Sequence, residues 1–551
     1  MFRIIPLGGV GKVTGNLFIY EYEHNGNYER LIIDCGIGFP EQEMLGADLL
    51  VPDISYLKGK EDSIVGIVLS HGHDDHIAAL PYLLPTLGQD IPVFASKLTA
   101  GFVEHNLKEF GIEKHIQVVD SEPFVLGSFT IDPIKITHSV PDARHFVIKI
   151  EDLTIYHGSD FKFDWTPMDN VRPDLQKIAF YGRQGIDLLL TDCLRVENED
   201  YSLSEKAVGE DMAKEMRDIS GKILITMMSS NIHRIQQAVD VAVTIGRQIA
   251  FIGRSMEDNV KIASMLGFLH LPDKMVINKK RVKDFPDKHL CLIVAGSQGQ
   301  EGSTLTRIAN GQHQLIKIGK GDHVIFSADP IPGNENAVYK TVDEIAKTGA
   351  TVSYREIQDT LHVSGHASAQ DLRLFLTLTK PKFVLPIGGT FRHMNQFRVL
   401  AKNMGFTDQE VLVPESGDIL ALNKNNFYID NKIKLKTVIV DGLGIGDVGP
   451  LVLSDRQKMS QSGMVVIAIP VDKASNQVKG KIEVITRGFV FVKGSQELIA
   501  EMQDYCAQIM PEGMIILDWQ KEKETIEDKL NDFILEKTGR QPLVLGFLVK
   551  S

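Results

Sequence analysis

Six consecutive residues, His71-Gly72-His73-Asp74-Asp75-His76, place three imidazoles and two carboxylates within about one turn of backbone. Imidazole nitrogen and carboxylate oxygen are the donors that hold Zn²⁺ or Mn²⁺. Crowding so many titratable groups without a cation brings no gain in folding. With 17 histidines in 551 residues, composition alone gives an HxHxDH pattern in roughly one such chain in a thousand. His71 and His73, two apart on a loop, can reach one metal, and Asp75 and His76 can face a second. A third histidine and a bridging carboxylate must come from elsewhere. Thr137-His138-Ser139 and Gly158-Ser159-Asp160 each follow a β-rich run and are the candidates. A single histidine such as His138 is more often a satisfied core residue, but here the motif lacks ligands without it. Two metals roughly 3.5–4 Å apart can share a hydroxide and clamp an in-line displacement at phosphorus. Asp34 can accept a hydrogen bond from a ligand imidazole and fix its orientation. Asp74 reads as a solvated side chain near a helix N-terminus.

The elements around these residues read as layered α/β structure. β-rich runs at Asn16–Tyr20, Leu31–Ile33, Val65–Leu69 and Phe146–Ile150 alternate with turn signals over the first 200 residues. A helix is expected from His76, with Ile77, Leu80, Leu83 and Leu84 on one face. The metal motif then sits on a strand-to-helix loop. Asp34, His138 and Asp160 also follow strands, the usual place for chemistry in such folds. From about Ser204 to Tyr354 the spacing becomes βαβ. Strands are expected at Lys222–Met228, Gln248–Ile252 and Leu290–Val294, the last two ending in Gly/Ser-rich turns that could cradle phosphate or simply be turns. The polar stretch Asn423–Asn431, with Lys432, Lys434 and Lys436, reads as a linker. Beyond about residue 445 comes a compact α/β segment, with a strand at Met464–Ile469 and helices at Ser495–Met510 and Glu522–Lys537.

Length and composition bound the answer. A chain of 551 residues exceeds one core and implies several domains. A formal net charge of −13 excludes a general basic field for nucleic acid. It does not exclude an enzyme with a locally positive groove. Cys35, Cys193, Cys291 and Cys506 are far apart, which disfavours a disulfide framework and a zinc ribbon and favours the cytoplasm. No apolar run approaches a membrane span. The basic run Lys279-Lys280-Arg281 with Lys283 is either a solvated face or an RNA track, and Arg254 a surface ion pair or a ligand contact.

Many separate segments make the chain resemble the bacterial ribonuclease J family, metallo-β-lactamase-fold nucleases of the β-CASP group. Pro6-Leu7-Gly8-Gly9-Val10-Gly11, Asp34–Glu41 and Met44–Asp53 match the family's opening. Asp160–Asp164, Ser230-Asn231-Ile232-His233-Arg234, Gly253–Met256, Pro332–Glu335 and Ser364-Gly365-His366-Ala367 match its middle, and Asp441–Gly449 its late linker. The resemblance implies a fold: a metallo-β-lactamase αββα sandwich in two parts (1–205 and 361–425), an inserted β-CASP parallel-sheet domain (206–360), a linker (426–450) and a small α/β C-terminal domain (451–551). It implies 5′→3′ hydrolysis of RNA from a 5′-monophosphate, with some internal cleavage. It further implies two divalent metal ions, Zn or Mn: His71, His73 and His138 on one, Asp75 and His76 on the other, and Asp160 bridging. Asp192 resembles the acidic β-CASP residue, and His366 the histidine that touches the scissile phosphate and protonates the leaving oxygen. Ser229, Ser230 and Asn231, with His362, Val363, Ser364, Gly365 and His366, resemble the RNA-phosphate pocket, where donors bind phosphate without reading bases. RNA is the implied partner, with a homodimer, a homotetramer or a hetero-oligomer with a paralogue as the assembly and no membrane. A structural calcium near Asp48 and Asp441 is a further implication.

The chain also departs from the family. Where members usually read Pro-Val-His-Gly-Glu, it reads Pro386-Ile387-Gly388-Gly389-Thr390. Gly388 stands where the seventh ligand histidine belongs, and His393 matches a different family histidine. Lys12, Gly158-Ser159, Cys193-Leu194-Arg195 and Gln300-Glu301 are further changes near the site. The second metal would keep Asp75, His76 and Asp160 and be weakened. Two function classes follow: an active metal-dependent nuclease, and a weakly active or inactive RNA-binding partner of an active paralogue.

Overall fold

The computed structural model describes residues 1–41, 43–331, 333–442, 444–490 and 496–550. Pro332, Leu443 and Ser495, which fall within motifs or elements read above, lie outside the described residues. The chain divides into two units, residues 1–39 with 49–438, and 40–48 with 439–551.

In the first unit the buried run Ile64–Leu69 is a strand lying parallel between Asn27–Ile33 and Val93–Ala95. A strand covered on both faces needs an unbroken apolar sequence, and Ile64-Val65-Gly66-Ile67-Val68-Leu69 supplies it. These strands belong to an eight-stranded sheet, which Phe2–Gly8 and Leu17–His24 continue toward Asp418–Leu422. A six-stranded sheet faces it. There Leu188–Asp192 lies parallel between Leu153–His157 and Phe383–Ile387. One core joins the sheets, with Phe18, Tyr20, Ile33 and Val68 from the first and Phe146, Ile155 and Leu190 from the second. The helices Leu175–Gln184, Ala369–Thr379 and Phe391–Asn403 add Ile178, Phe375 and Phe397 to it. This is the αββα arrangement.

The inserted domain carries a five-stranded, all-parallel sheet. Its order is Gln248–Ile252, Leu290–Val294, Ile223–Thr226, His323–Phe326, Thr351–Ser353. In the second unit Met464–Val471 is the central strand, antiparallel to Glu483–Arg487 and parallel to Leu543–Lys550. The helices Gln496–Ile509 and Trp519–Thr538 give Met502, Ile526 and Leu530 to its core.

Two expectations change. The helix after the metal motif begins at Asp74, stops at Ile77, and resumes as Leu80–Leu87 with Pro81 in its first turn. The proline lacks an N–H to continue a helix through it but fits a new first turn. The stretch read as a linker is largely strand: Phe427–Lys432 pairs antiparallel with Asp418–Leu422. It is an edge strand with one buried residue, so its sequence carries almost no apolar signal. All four cysteines are buried and unpaired.

Candidate metal centre and its surroundings

The sheets deliver the polar groups from strand ends. Asp34 follows Asn27–Ile33, His71 follows Ile64–Leu69 and His138 follows Phe129–Lys135. Asp160 follows Leu153–His157, and Asp192 and Gly388 end two neighbouring strands. Donor atoms of His71, His73, His138 and Asp160 all lie within 4.8 Å of one another. The Nδ1 of His73 is 3.1 Å from His71 Nε2 and 3.0 Å from His138 Nε2. Asp160 Oδ2 is 3.8 Å and 3.9 Å from the latter two nitrogens.

The other ring nitrogens have partners that can accept a hydrogen bond, which leaves the facing nitrogens free to ligate. His71 Nδ1–H donates to Ser70 Oγ (3.0 Å), His73 Nε2–H to Ser139 Oγ (3.1 Å) and His138 Nδ1–H to the Gly365 carbonyl (2.8 Å). Three lone pairs therefore converge on one point. Burial and neighbouring imidazoles hold His71 well below the usual histidine range. Burial and His138 do the same for His73, and burial with His366 takes His138 to about 3. Neutral lone pairs this close repel unless a cation lies between them. Their separations suit a tetrahedral ion whose bonds are about 2.0–2.1 Å. The donor set therefore fits Zn²⁺, with Mn²⁺ as an alternative.

A second group comprises Asp75, His76 and Asp160. His76 Nε2 is 3.7 Å from Asp75 Oδ2 and 3.4 Å from Asp160 Oδ2. Its Nδ1–H donates to Asp34 Oδ2 at 2.7 Å, and Asp34 also accepts from the Ser70 N–H and hydroxyl. Burial would lower His76, but Asp160, Asp75 and Asp34 raise it well above the usual value. Burial pushes Asp75 up to about 6. The Asn16 side-chain amide lies 3.1 Å from His76 Nε2. Asp74 is exposed. Gly388 faces this group. A Cβ there would lie 3.5 Å from Asp192 Oδ1 and 3.6 Å from Asp160 Oδ1, in open contact, but the backbone is left-handed at φ +66°. His393 is elsewhere, capping its own helix through Thr390.

His366 stands beside both groups, its Nδ1 2.8 Å from Asp192 Oδ2 and 3.9 Å from Asp160 Oδ2. Burial opposes its charge, yet Asp192 and Asp160 lift it to about 9. Burial raises Asp192. The loop carrying His366 packs against the metal group closely enough to require glycine next to it. A Cβ on Gly365 would meet His138 Cε1 at 2.7 Å.

The residues compared with a phosphate pocket fall into two sets. Segment 362–366 reaches the metal group through Gly365 and His366, and Ser364 Oγ accepts from the His366 N–H. Ser229, Ser230 and Asn231 lie at the start of the Ile232–Thr244 helix; Asn231 caps it and Ser229 accepts from Asn259. Arg234, fully buried, joins the sets. It donates to His362 Nδ1 (2.6 Å), to the Val363 carbonyl (3.0 Å) and to both Glu205 oxygens (3.0 and 2.9 Å). Lys162 completes the network at 3.4 Å from Glu205, and its main chain brackets Thr137, next to His138. Burial raises Glu205, but Arg234 and Lys162 take it down to about 2. The roles of Asn16, Ser70, Glu205, Arg234 and Lys162 were not read from the sequence. Ser70, adjacent to His71, was the one with a local signal.

Away from the site, Lys279 pairs with Glu257, Arg281 with Asp284 and Arg254 with Glu109. Asp441 pairs with Arg456 at 2.5 Å, and Asp48 accepts from the Gly442 N–H. Among the described residues no helix is long and apolar enough to cross a membrane.

Four family models match the chain: the beta-lactamase superfamily domain over 29–250, the ribonuclease J beta-CASP domain over 220–345, the Zn-dependent metallo-hydrolase RNA specificity domain over 349–414 and the ribonuclease J C-terminal domain over 451–551. Ribonuclease J2 of Bacillus subtilis is 34% identical over 100% of this chain and 98% of its own length. Ribonuclease J of Thermus thermophilus is 35% identical over 100% and 95%. Ribonuclease J 2 of Staphylococcus aureus is 29% identical over 98% and 97%. Among solved structures, a protein of unknown function from Enterococcus faecalis V583 aligns with a TM-score of 0.55 at 14% identity, covering 76% of this chain and all of its own, a likeness of fold.

Proposed function

The chain belongs to the ribonuclease J family and is a metal-dependent RNA nuclease; from that premise we propose that it removes nucleotides 5′→3′ from a 5′-monophosphate end, with some internal cleavage. The observation that carries this is the convergence of His71, His73 and His138 lone pairs on Asp160. His71, His73, His138 and Asp160 would hold one divalent ion and Asp75, His76 and Asp160 a second, which would supply Lewis acidity and activate water at neutral pH. The chain's own groups do the rest. Asp34 and Ser70 hold the His76 and His71 rings in their ligating tautomers. Asp192 accepts from the Nδ1–H of His366 and favours its protonated form, leaving its other nitrogen to protonate the leaving oxygen. Arg234 sets His362 and Val363 against the start of the 232–244 helix, where Ser229, Ser230 and Asn231 offer donors to the phosphates of the threaded strand.

The test uses RNA whose 5′-monophosphate carries the label, with Zn²⁺, Mn²⁺ or Mg²⁺. Release of mononucleotides by the purified chain, and none by His73→Ala, is expected. No release under any of the metals sinks the exonuclease reading.

One observation favours a second reading, a weakly active or inactive RNA-binding partner of an active paralogue. Gly388 brings no side chain to the second group. Occupancy of these two groups at saturating metal, read site by site from anomalous diffraction, separates the two: both filled supports the enzyme, and one or none supports the partner subunit. Assembly as a homodimer, a homotetramer or a hetero-oligomer with a paralogue, in the cytoplasm, belongs to the same proposal, and light scattering reads the oligomer. The Arg456 ion pair argues against the calcium at Asp441.

A further inference from the structure

We propose that His105, Glu109 and Asp258 form a separate Zn²⁺ site that clamps the inserted domain onto the lactamase-like part. The helix Lys97–Glu109 belongs to the lactamase-like part and Arg254–Leu266 to the insertion. Their contacts run antiparallel in steps of four on both sides, one ridge along another. Lys97 Nζ donates to the Leu266 carbonyl at 3.0 Å. Gly101 lies so close that a Cβ would meet Leu266 Cδ1 at 2.6 Å and Ile262 Cγ2 at 3.0 Å. One step on, His105 faces Asp258, and at the next Glu109 faces Arg254.

The polar end of this seam has a ligand set. His105 Nε2 lies 3.6 Å from Asp258 Oδ2 and 3.9 Å from Glu109 Oε1. The three donor atoms lie within 4.8 Å of one another. A further observation points to an ion: the side chain of His105 is 32% exposed, yet its Nε2 is buried between the two carboxylates and makes no hydrogen bond. A ring nitrogen buried between two carboxylates without a bond normally has a cause. One imidazole and two carboxylates, with water in the fourth position, suit Zn²⁺ better than Mg²⁺, which favours an all-oxygen shell. Arg254 now pairs with both Glu109 and Asp258, but its side chain is 80% exposed. Such an exposed pair competes weakly with a divalent ion. None of the three ligands hydrogen-bonds or ion-pairs with the residues of the nuclease centre, so this site does not depend on the nuclease reading.

The full-length protein, with its nuclease centre already loaded, is dialysed against buffered Zn²⁺ and its metal content measured. Wild type is expected to hold one more ion per chain than His105→Gln or Asp258→Asn, while RNA cleavage by both variants stays unchanged. Arg254→Ala removes the competing cation and is expected to tighten binding roughly twofold to fivefold. In the wild type Zn²⁺ is expected to slow amide exchange in both helices. Equal metal content in wild type and the two ligand variants overturns the site. Looser binding in Arg254→Ala also counts against it, and metal binding without slowed exchange overturns the clamp.

Discussion

The two metal groups share Asp160 but are built to different standards. At the first, three neutral imidazoles point at one another, and each is oriented by a bond from its other nitrogen. A cation placed between them would relieve their repulsion and satisfy all three lone pairs at once. At the second, the single imidazole carries excess positive character, its Nε2 already has the Asn16 amide beside it, and the position facing it is a glycine. The first group is preorganised to hold an ion; the second can relax without one. We therefore expect this chain to keep an ion at the first group and to exchange one at the second.

The sharpest way to break that comparison is at the first group. His73→Ala removes a lone pair that both neighbours face, and a loss of at least about 100-fold in metal affinity and cleavage is expected, since even outer partners cost about 10–100-fold. Metal content and RNA turnover read it together. Asp34→Asn acts on the second group by weakening the acceptor of His76 Nδ1–H. A loss of about 10–100-fold in second-site affinity is expected, with a smaller change at the first; Mn²⁺ titration resolves the two.

Acid should also separate them. Asp75 rises to about 6 and must be deprotonated to ligate, so the second group loses a donor as pH falls through 6. His138 holds its proton only below about 3, and His71 and His73 resist protonation too, so the first group keeps its lone pairs. His76, held in its protonated form by Asp160, Asp75 and Asp34, must also lose a proton to ligate, so between pH 7 and 5 second-site affinity should fall by more than about tenfold and first-site affinity much less. Equal losses would remove the distinction. The smallest effect is expected from Gly388→His. Its Cβ has room, but the left-handed backbone costs about 1–2 kcal/mol. Second-site affinity should rise severalfold while Tm drops slightly.

Much of the first group was legible in the sequence because its ligands follow strands whose apolar runs are unmistakable. His71 and His73 are two residues apart, and His138 and Asp160 end their own runs. The parallel sheet of the insertion was legible for the same reason. What orients the ligands was harder. Asn16 and Ser139 are small polar residues with no pattern of their own, and Ser70 stands out only by its place next to His71. The Lys162–Glu205–Arg234 network joins residues up to 72 positions apart in a fully buried place, where charge in a sequence ordinarily means surface. The Phe427–Lys432 strand was misread because an edge strand needs few apolar residues.

The most direct test is anomalous diffraction from crystals of the wild-type protein equilibrated with limiting Zn²⁺ or Mn²⁺ at pH 7. The account predicts a fully occupied ion among His71, His73, His138 and Asp160, with lower occupancy at Asp75, His76 and Asp160. No ion among the three histidines, or equal filling of both positions at every metal concentration, would contradict it.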